Sequence, residues 1–280
     1  MDRVTSPNET TIEAGGGLRI FYRWWLPSGP AKAALVIVPG FNSHSGYFDW
    51  FGKALAAAGI ATYALDLHGR GRSDGERYYV DQFADYVGDV DVVMKAVRAG
   101  HPGLPTYIMG HSAGGVVAWL YTLDHGAQVA GLISESFAFE LPAPDFALAV
   151  LKGLSHIAPH AQVLALKNAD FSRDPAAVAA MDADPLIAHE TQPTKTLAAI
   201  VRADARLKAE FNRVTVPVLI VHGTSDHAAK PAGSQFAFDH VGSSDKTLKL
   251  YEGAYHDLLN DVGREQVLAD IRGWLLTHLA

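Results

Sequence analysis

The stretch Tyr107-Ile108-Met109-Gly110-His111-Ser112-Ala113-Gly114-Gly115-Val116-Val117 constrains this chain more than any other. An apolar run ends at Gly110, a serine follows two residues later, and a helix-compatible run, Val116 to Leu123, leaves on the far side. The pattern is G-x-S-x-G between a strand and a helix, the context that separates a nucleophile elbow from a chance match. So sharp a turn leaves Ser112 at its apex in a strained backbone conformation. It also brings the strand and the start of the helix close together, and Gly110, Gly114 and Gly115 supply room for that approach. The helix N-terminus then aims backbone N–H groups at negative charge forming beside the serine.

The flanks repeat one rhythm. Thr11 to Glu13 and Leu18 to Leu26 read as an opening hairpin around Gly15-Gly16-Gly17. Ala33 to Val38 is a continuous apolar run closed by Pro39-Gly40, as expected of a strand buried on both faces. Tyr47 to Ala58 is helical and Gly59 caps it. Ile60 to Leu65 is a second buried strand, Phe83 to Ala99 an amphipathic helix, and Thr106 to Met109 the strand before the elbow. Val129 to Ile133, Val216 to Val221 and Thr247 to Tyr251 are further strands, with helices near Ser234 to Asp239 and over Val262 to Leu279. This alternation predicts an α/β fold, a mostly parallel sheet flanked by helices.

The rhythm breaks between Phe137 and Arg213, which is alanine-rich, punctuated by Pro142, Pro144, Pro159, Pro175, Pro185 and Pro193, and without a convincing strand. Phe137, Phe139, Phe146, Leu148, Leu151, Leu154 and Ile157 make it too apolar for a spacer. It is expected to be a helical cap or lid over the strand ends. The domain plan is then 1–136 for the first part of the core, 137–213 for the cap and 214–280 for the second part.

Composition excludes several classes. A net charge of −7 leaves no basic footprint for nucleic acid. No cysteine is present, which removes disulfides, thiolate catalysis and cysteine-ligated metal. The polar start, Met1 to Thr10, has no apolar core of a signal peptide, and no apolar run approaches the length of a membrane span. The expectation is a cytoplasmic enzyme, with no cofactor or metal, of unspecified oligomeric state.

A serine hydroxyl needs a base, and the base needs an orienter. His256 follows the last strand and Asp226 the one before it, so the candidates run in the order Ser112, Asp226, His256 used by α/β-hydrolases. Both lie on loops leaving strand C-termini, where open α/β sheets hold ligands. Glu135 is a rival acid ranked behind Asp226. His222 and His227 are read as loop residues, since no third ligand at metal spacing follows. Two backbone N–H groups are expected to bind the oxyanion, those of Ala113 and of Phe41 in the Pro39-Gly40-Phe41-Asn42 loop.

These residues carry a resemblance. The chain is similar to the monoacylglycerol lipase and lysophospholipase-like serine hydrolases of the α/β-hydrolase superfamily. The likeness runs through Asp66-Leu67-His68-Gly69-Arg70-Gly71-Arg72-Ser73, the elbow, Ser172-Arg173-Asp174-Pro175, Ala183-Asp184-Pro185-Leu186, Val216 to Asp226 and Lys246 to His256. The resemblance implies that Ser112, Asp226 and His256 are nucleophile, acid and base, and that the cap covers an apolar acyl tunnel. The chain departs at Pro39 to Tyr47. Members usually begin this loop with His-Gly and often carry a glutamate and an arginine where Ser43 and Tyr47 stand. Asn42, Ser43, Tyr47 and His111 are the candidate substrate-binding residues, and glycerol recognition is the point this departure leaves open.

The reading is a serine carboxylic-ester hydrolase acting through an acyl-enzyme on a small-molecule or lipid ester. The alternatives are a broad esterase accepting synthetic esters and polyesters, a thioesterase, a lysophospholipase or a peptidase. From another class comes a catalytically silent ligand-binding homologue. Transient contact of the cap with a membrane surface is a further expectation. Ser112 argues against a dehalogenase or an epoxide hydrolase, which would need a carboxylate at the elbow.

Overall fold

The computed structural model describes residues 7–139 and 145–279. Pro142, Pro144, the Phe146 side chain and most of the polar start lie outside the described residues. The chain opens with β1 (Asn8–Glu13) and β2 (Arg19–Trp25), then β3 (Ala33–Val38), α1 (Asp49–Ala57), β4 (Ile60–Leu65) and α2 (Phe83–Gly100). The centre is β5 (Thr106–His111), α3 (Ala113–His125) and β6 (Gly131–Glu135). There follow α4 (Asp145–Ile157), β7 (Gln162–Ala165), α5 (Pro175–Asp182), β8 (Thr191–Pro193) and α6 (Thr194–Glu210). The chain closes with β9 (Val218–Gly223), α7 (Pro231–His240), β10 (Lys246–Tyr251) and α8 (Arg264–Thr277).

Eight strands form one sheet in the order β1-β2-β4-β3-β5-β6-β9-β10. β1 pairs antiparallel with β2, as the opening hairpin predicted, and β2 antiparallel with β4; every other pairing is parallel. The buried apolar runs are explained by which face each side chain takes. Along β3, Ala34, Val36 and Val38 join one core with α2, α3, α6 and α7, whereas Ala33, Leu35 and Ile37 join a second core with α1 and α8. A strand that must satisfy two apolar layers has no polar alternation left. The α/β fold expected from the rhythm, a mostly parallel sheet flanked by helices, is what the chain adopts.

The stretch between β6 and β9 differs from expectation in three ways. It contains a two-stranded antiparallel ribbon of β7 and β8, where the sequence showed no strand. These strands, of four and three residues, are too short to carry an apolar period. Phe137 and Phe139 pack with Trp119 and Phe211 in the main core, not in a separate cap. The helix α6 does the same through Ala199, Ile200, Ala203 and Leu207. The Ser172-Arg173-Asp174-Pro175 stretch starts α5. The Asp174 side chain accepts from the Ala176 N–H at 2.9 Å, and Pro175 sits at the first helical position, where its missing N–H costs nothing.

Two glycines separate steric need from mere tolerance. A Cβ on Gly114 would lie 2.2 Å from the Val38 carbonyl oxygen and 2.4 Å from that of Pro39. A Cβ on Gly88, within α2, would meet nothing within 4 Å. Gly114→Ala is therefore expected to cost about 3 kcal/mol or more, the upper end of overpacking. Gly88→Ala should stabilise by about 0.5–1 kcal/mol through helix propensity. Urea-unfolding midpoints of the two variants check both signs; a Gly114→Ala protein as stable as the parent would refute the close approach.

Candidate active site

The elbow is built as its sequence predicts. Ser112 stands between β5 and α3 with φ 55° and ψ −124°, a region that side chains other than glycine rarely occupy. Backbone hydrogen bonds hold it there. Its N–H donates to the Glu135 carbonyl at 3.0 Å, and its carbonyl accepts from Gly115 at 2.9 Å and Ala138 at 3.2 Å. Gly40, on the facing loop, approaches so closely that a Cβ would lie 2.6 Å from the Ser112 Cβ.

Asp226 and His256 meet although 30 residues separate them. His256 Nδ1 lies 2.7 Å from Asp226 Oδ2. Parallel pairing of β9 with β10 brings the two loops to the same sheet end. Gly223 lets the His256 loop pass: a Cβ there would lie 2.3 Å from the Ala254 carbonyl oxygen. Asp226 Oδ1 accepts from the N–H groups of Ala228 and Ala229, each at 2.8 Å. Burial alone would raise the Asp226 pKa, but His256 and His222 outweigh it and hold the carboxyl below the usual carboxylate range.

Among the described residues His256 Nε2 has no hydrogen-bond partner, Ser112 Oγ included. The ring is wedged between His111, 4.9 Å away, and the edge-on Phe171, also 4.9 Å away. Ser112, Phe41 and Ala113 line one end of a cavity of about 490 Å³. Leu148, Leu151, Leu164, Leu197, Ile200 and Phe171 make up much of the rest, so its wall is apolar.

The four residues read as substrate-binding are placed differently from one another, and none lines this cavity. His111 is buried beneath His256 with neither ring nitrogen bonded, and burial and the neighbouring His256 push its pKa down to about 3. Asn42 donates to Asn168 Oδ1 at 3.0 Å. Ser43 is buried with its hydroxyl unpartnered. Tyr47 donates to Asp184 Oδ2 at 2.9 Å, beside His44 Nε2 on the same oxygen at 2.8 Å. The Pro39 to Tyr47 loop is thus tied to the stretch before and after α5.

Three further placements refine the sequence reading. His222 is not a loop residue. It lies on β9, fully buried, with Nε2 2.9 Å from Asp226 Oδ2 and Nδ1 2.7 Å from Ser234 Oγ. That pattern fits an Nε2–H aimed at the carboxylate and a Ser234 hydroxyl donating to Nδ1. The signal was available: a histidine ending a buried strand, four residues before the acid. Glu135, the rival acid, is the last residue of β6 and accepts from the Leu259 N–H at 3.2 Å. Asp257 lies beside it, buried, and donates its own N–H to the Phe171 carbonyl at 2.8 Å. Burial raises both carboxyls, Asp257 to about 6.

Among the described residues no helix is long and apolar enough to cross a membrane. A family model described as serine aminopeptidase, S33, matches residues 29–263. A monoacylglycerol lipase of Mycolicibacterium smegmatis is 31% identical over 274 residues, covering 97% of this chain and 98% of that protein. The monoglyceride lipase of Homo sapiens is 30% identical over 269 residues, covering 94% and 89%. The crystal structure of a Paleococcus ferrophilus monoacylglycerol lipase matches with a TM-score of 0.84 at 28% identity, over 92% of this chain and 99% of that one. By a match that runs from before β3 to beyond β10 and takes in Ser112, Asp226 and His256, the chain belongs to the serine aminopeptidase S33 family of α/β-hydrolases and is a serine hydrolase.

Proposed function

We propose that the protein hydrolyses lipid-like carboxylic esters, monoacylglycerols or lysophospholipids, through an acyl-enzyme on Ser112. One observation carries the reading: an apolar cavity opens directly on an elbow serine. In the proposed reaction His256 Nε2 takes the Ser112 Oγ proton as Oγ attacks the ester carbonyl. Asp226 keeps the Nδ1 proton on its own side and steadies the imidazolium. Charge collects on the former carbonyl oxygen, facing the N–H groups of Phe41 and Ala113. His256 returns the proton to the leaving alcohol, and the C–O bond breaks. Water then repeats the sequence, losing a proton to His256 while Ser112 regains one and the fatty acid departs.

The acyl chain fills the cavity, and within the stretch 137–213 it is α4 and β7 that act as the lid. Val150, Ile157 and Val163 are exposed apolar residues on α4 and β7, a surface suited to transient contact with a lipid aggregate. A second reading, a broad esterase, is favoured at the alcohol end. Tyr47 is occupied by Asp184 and Ser43 carries no charge, so neither supplies the ionic groups that family members often place there.

Each methylene buried in the cavity is worth about 0.8 kcal/mol, up to about fourfold in kcat/KM if realised in the transition state. We expect kcat/KM on glycerol monoesters to rise with acyl length by up to that factor per carbon and then level when the cavity is full. Matching ethyl esters test the alcohol end: equal rates make the enzyme a general esterase. A flat profile at every length would remove the acyl-cavity reading.

Ser112→Ala should abolish hydrolysis and labelling by a fluorophosphonate. Asp226→Asn should slow both hydrolysis and fluorophosphonate labelling by roughly 10⁴-fold, because an amide presents the wrong hydrogen-bond partner to His256 and leaves Ser112 without a base. Activity surviving in Ser112→Ala would end the acyl-enzyme scheme.

A further inference from the structure

An arginine with no part in the reaction scheme lies buried against the oxyanion loop. Arg70 follows β4 in the turn Leu67 to Ser73 and is 2% exposed. Its guanidinium sits 4.1 Å from the centre of the Phe41 ring. Nε donates to the Tyr86 hydroxyl of α2 at 3.1 Å, Nη2 to Gln192 Oε1 at 2.9 Å, and Nη1 to the Glu190 carboxylate. Gln192 Nε2 donates in turn to Glu190 Oε1 at 2.8 Å. Donors in three directions and a flat face for an aromatic ring are what a guanidinium offers and an ammonium does not.

A buried ion pair is weak evidence for stability, since apolar residues of like volume often serve as well. The pair therefore calls for a reason in what it touches. One side of Arg70 is the Phe41 ring; the other is the β7–β8 ribbon. Gln192 of β8 stands opposite Leu164 of β7, which lines the acyl cavity. Phe41 itself reaches the cavity beside Ser112.

We infer that Arg70 is a positioning residue for the oxyanion donor. Stacked on the Phe41 ring and clamped by Tyr86, Glu190 and Gln192, it holds the Phe41 peptide with its N–H toward the oxygen that becomes charged on Ser112. The inference rests on the proposed donor role of Phe41. Catalysis by an oriented dipole is steep in geometry, so a small rotation of this peptide lowers kcat without loosening the acyl chain. If Arg70 merely fastened the ribbon, its loss would move the cavity wall and so KM and the acyl-length dependence.

The test uses Arg70→Lys, Arg70→Met and Phe41→Leu, with rates expressed per serine titrated by a fluorophosphonate, so that only folded enzyme is counted. Phe41→Leu keeps the peptide N–H and the Arg70 clamp but removes the ring. We expect each variant to lose about tenfold or more in kcat at every acyl length, less than the 10²–10³-fold of losing a donor outright, with KM within about twofold for the two Arg70 variants; Phe41→Leu also trims the cavity wall and is read by kcat alone. A boronic acid that forms a tetrahedral adduct on Ser112 should weaken by the same factor. The double variant Arg70→Lys with Phe41→Leu should lose no more than the worse single one. Unchanged kcat per titrated serine, with KM raised and the acyl-length dependence flattened, would assign Arg70 to the ribbon alone and overturn the inference. Phe41→Pro, which removes the N–H, separates the two ideas. If it keeps kcat, the donor role fails whatever Arg70 does. If it loses about 10²–10³-fold while Arg70→Lys loses nothing, the donor role stands and the positioning role fails.

Discussion

Everything at this site depends on a steric constraint, the close approach of the elbow to the end of β3. At Gly114 and Gly40 the backbone of one element fills the space a side chain of the other would need. That approach sets the loop after β3 beside the start of α3, which is why Phe41, Ser112 and Ala113 share one end of the cavity. It also forces the positive φ at Ser112. The cost, of order 1–3 kcal/mol for such a conformation, is offset by hydrogen bonds from both Ser112 backbone groups and by the buried β5 and α3 on either side. Strain is kept where surrounding structure over-determines it.

Two buried carboxyl groups, Asp226 and Glu135, have opposite fates, and the contrast supports Asp226 as the proposed acid. Asp226 accepts four hydrogen bonds, two from backbone N–H groups and two from His222 and His256. Those donors outweigh desolvation, and the carboxyl stays ionised. Glu135 accepts only from the backbone at Leu258 and Leu259, with Asp257 as a neighbouring carboxyl, and its second oxygen is unpartnered among the described residues. Desolvation therefore dominates and the proton is retained more strongly. A carboxylate that must steady an imidazolium needs the first environment. Burial by itself does not make an acid for a triad; the count and direction of donors does.

Much of this was legible in the sequence because it is written in local patterns. Ala33 to Val38 and Val218 to Val221 are strands buried on both faces and look so. The elbow carries its own glycines. The order Ser112, Asp226, His256 follows from loops that leave consecutive strand ends. What could not be read has no local period. Gln162–Ala165 and Thr191–Pro193 form a ribbon only because residues 26 or more positions apart face each other. The clamp on Arg70 draws partners 16, 120 and 122 positions away. Tyr47 could be marked as unusual, but its tie to Asp184, 137 residues on, belongs to the tertiary structure alone. Phe137 and Phe139 belong to the main core and not to a cap, which their sequence does not show for the same reason: apolar character says that a residue is buried, not against what.

The stretch between β6 and β9 is joined to the core at both working loops. On the oxyanion side, Asp184 takes His44 and Tyr47, and Glu190 takes Arg70. On the base side, buried Asp261 accepts from the Arg173 N–H at 2.7 Å, from its Nε at 2.8 Å and from the Tyr255 N–H at 2.9 Å. Lifting the whole stretch to admit substrate would strip partners from buried charges, which typically costs about 3–5 kcal/mol for each broken pair. Displacing α4 and β7 moves chiefly apolar side chains that line the cavity or face outward, among them Leu148, Leu151, Val163 and Ile157. A lipid surface compensates for such exposure, whereas it cannot replace the partners of Arg70 or Asp261. Under the proposed function, the least costly route for an acyl chain therefore runs past α4 and β7, while the polar ties at α5 and β8 keep the Phe41 loop and the His256 loop in place.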